Sequence, residues 1–454
     1  MFKRVKRAPE ATFRETFTRG DIFTKLSFFI MGVSQLKNKQ WLKGIIFLLG
    51  EIVFFVWLVF NGFSAISLLS NLGDVKTKKV VFDEAQGVYV TKQPDNSMLI
   101  LLFGVMALVI VALLITLYVV SLRSTRHLYA LNRDGKHIAT TREDLATLLD
   151  SRLHVTLMIV PLLLILAFTI TPILYMITIA FTNFDNNHPV GFSWTGVQSF
   201  GNILTGNVAQ AFFPILLWTI VWAVVATASN FILGVLLAML IESKGINHKA
   251  FWRTIFVIVF AVPQFVSLLM MSQMLDNSGP INALLMNLGW ISPNSPIQFL
   301  SDPNMARISV IFVNMWIGIP VSMLTSTAII QNLSQDQIEA ARIDGANAFQ
   351  VFRSITFPQI VFVMTPALIQ QFIGNINNFN VIYLLTNGGP LTVSYSSATG
   401  GPGATDLLVT WLFKLTMGQQ ANYNLAAALG IIIFIISATV SILTYRRTNA
   451  FKEG

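Results

Sequence analysis

The chain has no cysteine, little charge and few histidines, and each shortage excludes a class of chemistry. Without Cys among its 454 residues, it can form neither disulfides nor thiolate sites. Its five His residues all fall in loops or at the ends of apolar segments, at positions 127, 137, 154, 188 and 248. We therefore predict no metal site and no proton relay.

A nucleotide-binding loop is also missing. Such a loop needs Gly, four residues, then Gly-Lys-Ser/Thr, so that backbone N–H groups surround phosphate. Gly135-Lys136 is followed by His137 and lacks the earlier glycine. We do not expect this chain to bind ATP or to be an enzyme.

Hydrophobic residues make up 54% of the chain and charged residues 11%, more apolar surface than a soluble core can bury. A bilayer core takes about 20 apolar residues per helix. Eight segments meet that length, which predicts an all-α polytopic membrane protein with both termini on one side. The predicted spans are 42–70, 98–122, 155–181, 212–241, 254–276, 306–330, 359–386 and 424–445.

Lys and Arg are scarce in alternate connections, which sets the predicted orientation. The loops 182–211 and 277–304 contain neither residue, and only six of the 30 lie on the side away from the termini. We therefore place the N- and C-termini in the cytosol. The net charge of +9 reflects this bias, and no soluble basic domain is present to bind nucleic acid.

The chain divides into three predicted parts. Residues 1–40 are too charged for a cleavable signal peptide and contain an apolar stretch, 22–36, predicted to be an interfacial amphipathic helix. Residues 41–150 carry two accessory spans and a polar cytosolic connector. Residues 151–454 carry the six remaining spans. In the first external loop, 77–92 alternates around Gln86-Gly87, which predicts a small hairpin.

Glu51 is the one acidic residue well inside a predicted span. An embedded acid is a functional candidate, because a charge in lipid is costly. Two interpretations remain open. Glu51 either couples transport to an ion gradient, or it is paired or protonated and has a structural role.

Spans six and seven instead contain neutral polar and helix-breaking residues. In span six, Gly318 and Pro320 leave carbonyl groups free for a polar ligand. In span seven, helical spacing places 371, 374, 375 and 378 on one face. Amides donate and accept hydrogen bonds as sugar hydroxyls do, so this face either lines a solute path or joins helices.

A polar segment at 331–358 separates these two spans. Ser334 and Gln337 have the spacing of a capping box, and Gly345 marks a bend. A second short helix is predicted to end before Pro358. The apolar residues predicted to rest on the membrane bundle are Ile338, Ala341 and Phe349, and those predicted to face the cytosol are Glu339, Arg342 and Asp344. We interpret this segment as a docking surface.

The pattern Glu339-Ala340-Ala341, Asp344-Gly345-Ala346, Phe352, Ile355 and Pro358 resembles the EAA loop of ATP-binding-cassette (ABC) importer permeases, with Phe357 where Leu is usual. The loop's place between spans six and seven of eight, with Asn387-Gly388-Gly389-Pro390 after span seven, resembles the larger permease subunit of maltose and maltodextrin importers. The resemblance covers 155–446 and implies a six-helix type I core plus two accessory helices. The coupling residues that it implies are Glu339, Ala340, Ala341, Asp344, Gly345 and Pro358.

The same resemblance implies a sugar site on spans six and seven. The matching positions are Ile317, Gly318, Val321, Gln371, Gly374, Asn375 and Asn378. Val321 and Gly374 stand where Tyr and Phe stack on sugar in the maltose pattern, so we expect a wider, less aromatic site. The loop 182–211 is too short for the folded external domain of some members, which points to a bacterium without an outer membrane.

The resemblance further implies the partners: a second permease subunit, two ATPase subunits that bind ATP and Mg, an extracellular solute-binding protein and an oligosaccharide. This chain would form the translocation pathway in the cell membrane and work by alternating access. The competing hypothesis is an ion-coupled secondary sugar transporter that uses Glu51 and needs no ATPase.

Overall fold

The computed structural model describes residues 11–84, 87–206, 208–243, 245–392, 394–395 and 397–447. These residues form two compact units. The first contains the described residues up to Asn183 together with His188–Trp194, and the second contains Phe184–Asn187 and the described residues from Thr195 onward. The third span packs within the first unit, whereas we predicted that it belongs with the later spans. The domain boundary at residue 150 remains a prediction.

The first unit is mostly helical. Its elements are α1 (Phe13–Arg19), α2 (Ile22–Leu26), α3 (Val33–Lys37), α4 (Trp41–Trp57), α5 (Phe63–Leu69), β1 (Lys79–Asp83), β2 (Val88–Lys92), α6 (Ser97–Arg133), α7 (Thr141–Leu149), α8 (Leu153–Ile165) and α9 (Thr171–Ile179). Single π-helical turns join α4 to α5 and α8 to α9. This unit therefore holds three membrane-length helices.

The prediction of one continuous interfacial helix at 22–36 is wrong. The chain instead forms α2 and α3, with Gly32 in the left-handed region before α3. Contacts with α6 favour this break: the Tyr118 hydroxyl donates to the Phe28 carbonyl at 2.7 Å, and the buried Gln35 amide donates to Thr125 Oγ1 at 3.3 Å. A buried amide needs such partners, and a straight amphipathic helix does not supply them.

The predicted hairpin is confirmed, and its external location stays a prediction. Strands β1 and β2 pair antiparallel, with Phe82 opposite Tyr89 and their rings 5.1 Å apart at centroid. Cross-strand aromatic pairs of this kind stabilise a two-stranded ribbon. The predicted centre of its turn, Gln86, lies outside the described residues.

The second unit carries the other helices: α10 (Gln198–Thr205), α11 (Ala209–Glu242), α12 (Lys249–Val257), α13 (Gln264–Met274), α14 (Pro280–Asn287), α15 (Pro303–Gln331), α16 (Gln335–Ile343), α17 (Ala348–Val351), α18 (Phe357–Ile376), α19 (Phe379–Thr386), α20 (Leu408–Met417) and α21 (Tyr423–Arg447). Long apolar helices cover 209–242, 303–331, 348–386 and 423–446.

The predicted fifth span is the exception among the eight. Within the described residues, seven helices are long and apolar enough to cross a membrane. In place of a straight fifth span the chain forms two helical pieces, Lys249–Ala261 and Gln264–Met274, bent by 88°. Pro263 lies at the break. Proline offers no backbone donor and disfavours helix in the residue before it. The helix therefore bends at Pro263, although hydropathy predicts one continuous span there.

Helices α11, α15 and α18 form the centre of the second unit. Phe231 and Val235 on α11 pack against Ile360 and Met364 on α18. A Cβ on Gly318 of α15 would collide with the amide of Asn230 on α11. Lipid gives little hydrophobic drive for helix association, so close approach at small residues is what holds such helices together.

Candidate functional site

The polar segment between the sixth and seventh spans is a helix-bend-helix, as predicted. Helix α16 ends at Ile343, and Gly345 turns the chain with φ of +86° before α17 begins. A side chain there would be strained, because L-residues disfavour positive φ. The sequence therefore located the bend correctly from one glycine.

The predicted capping box at Ser334 is wrong. Its side chain makes no capping bond to α16, and Gln337 instead accepts from the Gln359 amide at 2.9 Å. The capping box forms one helix later, where Asn347 and Gln350 exchange bonds of 2.8 and 2.9 Å. Asn and Gln satisfy the same geometry as Ser and Glu.

The second helix does not end before Pro358, contrary to the prediction. A π-helical turn, Phe352–Thr356, carries the chain from α17 directly into α18, which contains Pro358 in its first turn. The π turn immediately before Pro358 changes the hydrogen-bond pattern where proline lacks an N–H, so the helix continues through it. The segment is thus continuous with the seventh span.

The packing of Phe357 shows why Phe fits at this position, where Leu is usual in the EAA loop. Its ring lies 5.5 Å from that of Phe352 and 6.2 Å from that of Phe231 on α11, centroid to centroid. These contacts fix the start of α18 against α11. The end of the polar segment is therefore packed against both α18 and α11.

The outer face of the segment is exposed and mixed in character. Glu339, Arg342 and Asp344 are exposed, as predicted. Phe349 was predicted to rest on the bundle, but it is 67% exposed, and Ile343 is 85% exposed. Large apolar side chains beside charges on an ordered surface are typical of protein interfaces.

A cavity of about 480 Å³ opens on this face. It lies between α16 and the start of α18. Its lining includes four of the six predicted coupling residues and four further residues: Gln337, Ala340, Ala341, Asp344, Ser354, Ile355, Pro358 and Gln359. Alanines at 340 and 341 keep it open because their side chains are short.

Glu242 organises the neighbouring helix ends and was missed in the sequence. At the last residue of α11, its carboxylate accepts from Arg253 at 2.9 Å and lies 3.5 Å from Lys249, both on α12. The amide of Gln331, at the end of α15, reaches the same carboxylate at 3.4 Å. Partly buried and multiply bonded, this carboxylate fixes three helix ends next to the polar segment.

The amides of span seven do not share one helical face. Helix α18 ends at Ile376, and Asn378 instead caps α19 by accepting from Val381 N at 3.3 Å. Asn375 is buried and donates to Thr227 Oγ1 at 2.9 Å. The Nδ2 of Asn378 lies 3.4 Å from Asn314 Oδ1. Helix-joining contacts thus occupy two predicted sugar ligands.

The other predicted sugar-site positions point in different directions. Gly318 is buried against Asn230, whereas Val321 is 48% exposed. Gly374 is exposed, with open space where a Cβ would lie, and Gln371 and Ile317 are half-buried. Val321 and Gly374 each have open space beside them, and both the wider site and the assignment of sugar ligands remain predictions.

Partners on α11 were missed by sequence reasoning. The indole of Trp222 donates to the Asn375 carbonyl at 3.0 Å, and buried Asn230 Oδ1 and Asn314 Nδ2 have no partner among the described residues. Buried amide atoms without partners are rare in folded proteins. The one available signal was Asn230, a lone amide in a long apolar span.

The described residues between 387 and 422, which follow span seven and include α20, are called the cap. At its centre Asp406 is fully buried and pairs with Lys414 Nζ at 2.6 Å. Burial raises the pKa of the Asp406 carboxyl, while Lys414 and bonds from Gly403 N and Thr410 oppose that rise. The cap also rests on α11, where Leu408 N donates to Thr219 Oγ1 at 3.1 Å.

Arg307 is a second cation attached to the cap. Its guanidinium lies 4.9 Å from the ring centroid of Trp218, and its Nε donates to the Ala404 carbonyl at 2.9 Å. A cation over an aromatic face is attracted by the ring's electrons. Both Arg307 and Lys414 therefore have partners on the side where the sequence has few cations.

Glu51 has a structural partner. Its Oε2 accepts a 2.6 Å hydrogen bond from the backbone N of buried Met31, which ties α4 to the turn before α3. This contact agrees with the structural interpretation of Glu51.

Known proteins place these features in a family. The family described as "Binding-protein-dependent transport system inner membrane component" matches residues 230–450. The galactooligosaccharides transport system permease protein GanP of Bacillus subtilis is 35% identical, over 93% of this chain and 97% of that protein. The chain belongs to the sugar permeases of ABC importers, of the maltose/maltodextrin type.

A second relative agrees. The maltodextrin transport system permease protein MalC of Streptococcus pneumoniae is 33% identical, over 93% of this chain and 94% of that protein. Members of this family are transport subunits rather than enzymes, and a separate subunit of the importer hydrolyses ATP. The family thus confirms the resemblance drawn from the Glu339–Pro358 motif.

Solved structures support the fold. A bacterial ABC transporter "involved in the import of the acidic polysaccharide alginate" contains a chain that aligns with TM-score 0.55 and 20% identity, over 68% of this chain and 98% of that one. At this identity the likeness shows the fold alone. It confirms an all-α polytopic permease architecture.

Proposed function

We propose that this sugar permease imports a neutral oligosaccharide, of the maltodextrin or galacto-oligosaccharide class, through a pathway that it forms with a second permease subunit. The relatives' names support the oligosaccharide class. The uncharged residues at the predicted sugar positions support a neutral one, because amides recognise hydroxyl groups without demanding charge. Two ATPase subunits that hold ATP and Mg, and an extracellular solute-binding protein, complete the proposed importer.

In this proposal, the Glu339–Pro358 segment seats in the ATPase, on the cytosolic side. The observation that carries the proposal is its ordered, exposed face: a cavity lined by Ala340, Ala341 and Asp344, beside exposed Phe349. Continuity with α18 supports mechanical transmission to the bundle. Shifting a two-state transporter from 1:99 to 99:1 takes about 5.5 kcal/mol, and this contact is the proposed route for that energy.

The proposed orientation puts both termini in the cytosol of a bacterium, with the cap outside. Lys and Arg cluster in the termini and in the loops on the same side. A bacterium without an outer membrane remains the proposed source, from the short loop 182–211.

The test is uptake by proteoliposomes that contain the four-subunit complex and its binding protein. We expect radiolabelled maltotetraose or galactotetraose to accumulate when the ATPase side receives ATP, and to keep accumulating after ionophores collapse proton and sodium gradients. Uptake that survives ATP removal and stops with the ionophores would favour the ion-coupled alternative. Glu51→Gln should transport normally, because its proposed role is a bond to Met31 N.

A further inference from the structure

A second cavity, of about 570 Å³, lies between α19 and the cap, including the cap's helix α20. It belongs wholly to the second unit and is separate from the predicted sugar positions. Its lining combines aromatic rings, amides and one cation: Tyr383, Asn387, Phe413, Lys414, Gln419 and Gln420. Cavities with apolar walls and a few convergent polar groups are the usual form of small-molecule sites.

The aromatic wall is rigid. Tyr383 and Phe413 lie 5.1 Å apart, centroid to centroid, and Phe379 stacks on Tyr383 at 4.8 Å. Each ring therefore supports the other two, so little conformational freedom remains to be lost on binding. Tyr383 and Phe413 line the cavity, and aromatic rings supply apolar surface on which the C–H groups of a sugar can pack.

The polar groups of the cavity suit hydroxyls. Asn387, Gln419 and Gln420 are exposed amides, each able to donate and accept. Lys414 is the cation, but its ammonium is bound to Asp406 at 2.6 Å. This ion pair cancels the local charge, so among the described residues that line the cavity no cation is free for a carboxylated sugar.

The cavity adjoins the predicted sugar site along one helix. Asn378 caps α19, and Tyr383 follows five residues later, a rise of about 7.5 Å. In the proposed orientation, the cavity is therefore on the outer side of the predicted sugar amides. A chain of several sugar units would reach from one to the other, whereas a shorter sugar would occupy only one.

We propose that this cavity is an outer subsite that binds the additional units of a neutral oligosaccharide longer than a disaccharide. This inference rests on the proposed function, because it assumes that sugar enters along α19. The subsite would make affinity rise with chain length, and it would exclude uronate oligosaccharides, for which it offers no free cation.

The test is calorimetric binding to the detergent-solubilised four-subunit complex, without ATP or binding protein. The probes are maltose against maltotetraose and galactobiose against galactotetraose, with a tetra-uronate as the acidic control. We expect the wild type to bind the neutral tetrasaccharide more tightly than the disaccharide of the same series. Phe413→Ala should weaken tetrasaccharide binding by about tenfold, or ~1.4 kcal/mol, and disaccharide binding much less.

Two further variants serve as a second test of the subsite and as a control outside it. Gln420→Ala removes an exposed amide and should weaken tetrasaccharide binding selectively even if Phe413→Ala fails to assemble. Leu391→Ala changes an exposed cap residue outside the cavity and should bind both sugars as the wild type does.

Equal wild-type affinity for both lengths overturns the subsite, and so does an equal loss for both sugars in the Phe413 and Gln420 variants. Tight binding of the tetra-uronate also contradicts it. ATP-driven uptake of maltotetraose or galactotetraose would still support the proposed function in each case, so failures of the two proposals are distinguishable.

Discussion

Lys414 and Asp406 show how a single ion pair organises the cap. The carboxylate is fully buried and accepts from Lys414, Gly403 and Thr410. Burying a charge is costly unless it is paired and hydrogen-bonded. Removing the cation alone therefore leaves an uncompensated carboxylate, which costs more than the pair itself contributes.

We predict that Lys414→Met destabilises the folded chain by about 3–5 kcal/mol at neutral pH. Burial raises the pKa of Asp406 above its ordinary value of 3.8, and loss of Lys414 removes a force that lowers it. The folded state of the variant then binds a proton more tightly than the unfolded state does. Its stability should fall as pH rises through the raised pKa and recover on acidification. Thermal unfolding in detergent across pH measures this.

The double variant Asp406→Asn, Lys414→Met is the control for that experiment. It carries no buried charge at this site, so it should be more stable than Lys414→Met at neutral pH and lack the variant's recovery on acidification. A Lys414→Met protein whose stability ignores pH would show that Asp406 is not the cause.

At the scale of single residues, sequence reasoning found polar side chains better than their partners. The amides at 371, 375 and 378 were visible because amides are costly against lipid. Thr227 and Trp222, which bind Asn375, were not, because α11 is almost uniformly apolar and its contacts depend on packing. Phe349 was misplaced for a related reason: an apolar residue on a surface helix faces either the bundle or an absent partner, and sequence cannot say which.

At the scale of elements, Asn375 lies at the contact between α11 and α18, and it has two candidate roles, joining these helices and binding sugar. Its side chain donates to Thr227 Oγ1, and its carbonyl accepts from Trp222. Both bonds join helices. The resemblance to sugar permeases assigns the same residue to the sugar.

We predict that Asn375→Ala and Thr227→Val lower the free energy of unfolding by similar amounts, about 1 kcal/mol, because each removes one partner of the same bond. If Asn375 also binds sugar, Asn375→Ala alone should raise the half-saturating oligosaccharide concentration. Thermal unfolding and transport of the two variants, compared side by side, measure the two effects. Equal transport defects in both variants would make Asn375 a helix-joining residue only.

Element boundaries followed the sequence wherever hydropathy governs them. Long apolar runs predicted seven spans closely, since a membrane helix must satisfy its own backbone. The bent pair at Pro263, the π turn before Pro358 and the break at Asn377 were missed. Each depends on how the backbone absorbs a missing or redirected hydrogen bond, which neighbouring helices decide.

At the scale of the whole molecule, the polar segment and the cap lie at opposite ends of the seventh span. The Glu339–Pro358 segment leads into the first turn of α18, and the cap follows α19. In the proposed importer, the first end receives force from the ATPase and the second adjoins the outer entrance. Since the chain lacks cysteine, single introduced cysteines can report on either end without background.

The bend at Gly345 tests the central claim, that this segment couples ATP hydrolysis to transport. Gly345 and Gly135 are matched: each follows a helix, has positive φ and donates its N–H to the carbonyl three residues earlier. Proline can adopt neither conformation. Gly135 lies in the connector after α6, outside the proposed coupling segment.

The decisive measurement is oligosaccharide uptake by proteoliposomes, per molecule of inserted complex, for Gly345→Pro and Gly135→Pro. We predict that Gly345→Pro inserts into the membrane but loses at least about 100-fold in ATP-driven uptake, or ~2.8 kcal/mol of coupling, while Gly135→Pro keeps most of it. Uptake by Gly345→Pro at the rate of the wild type would contradict the account.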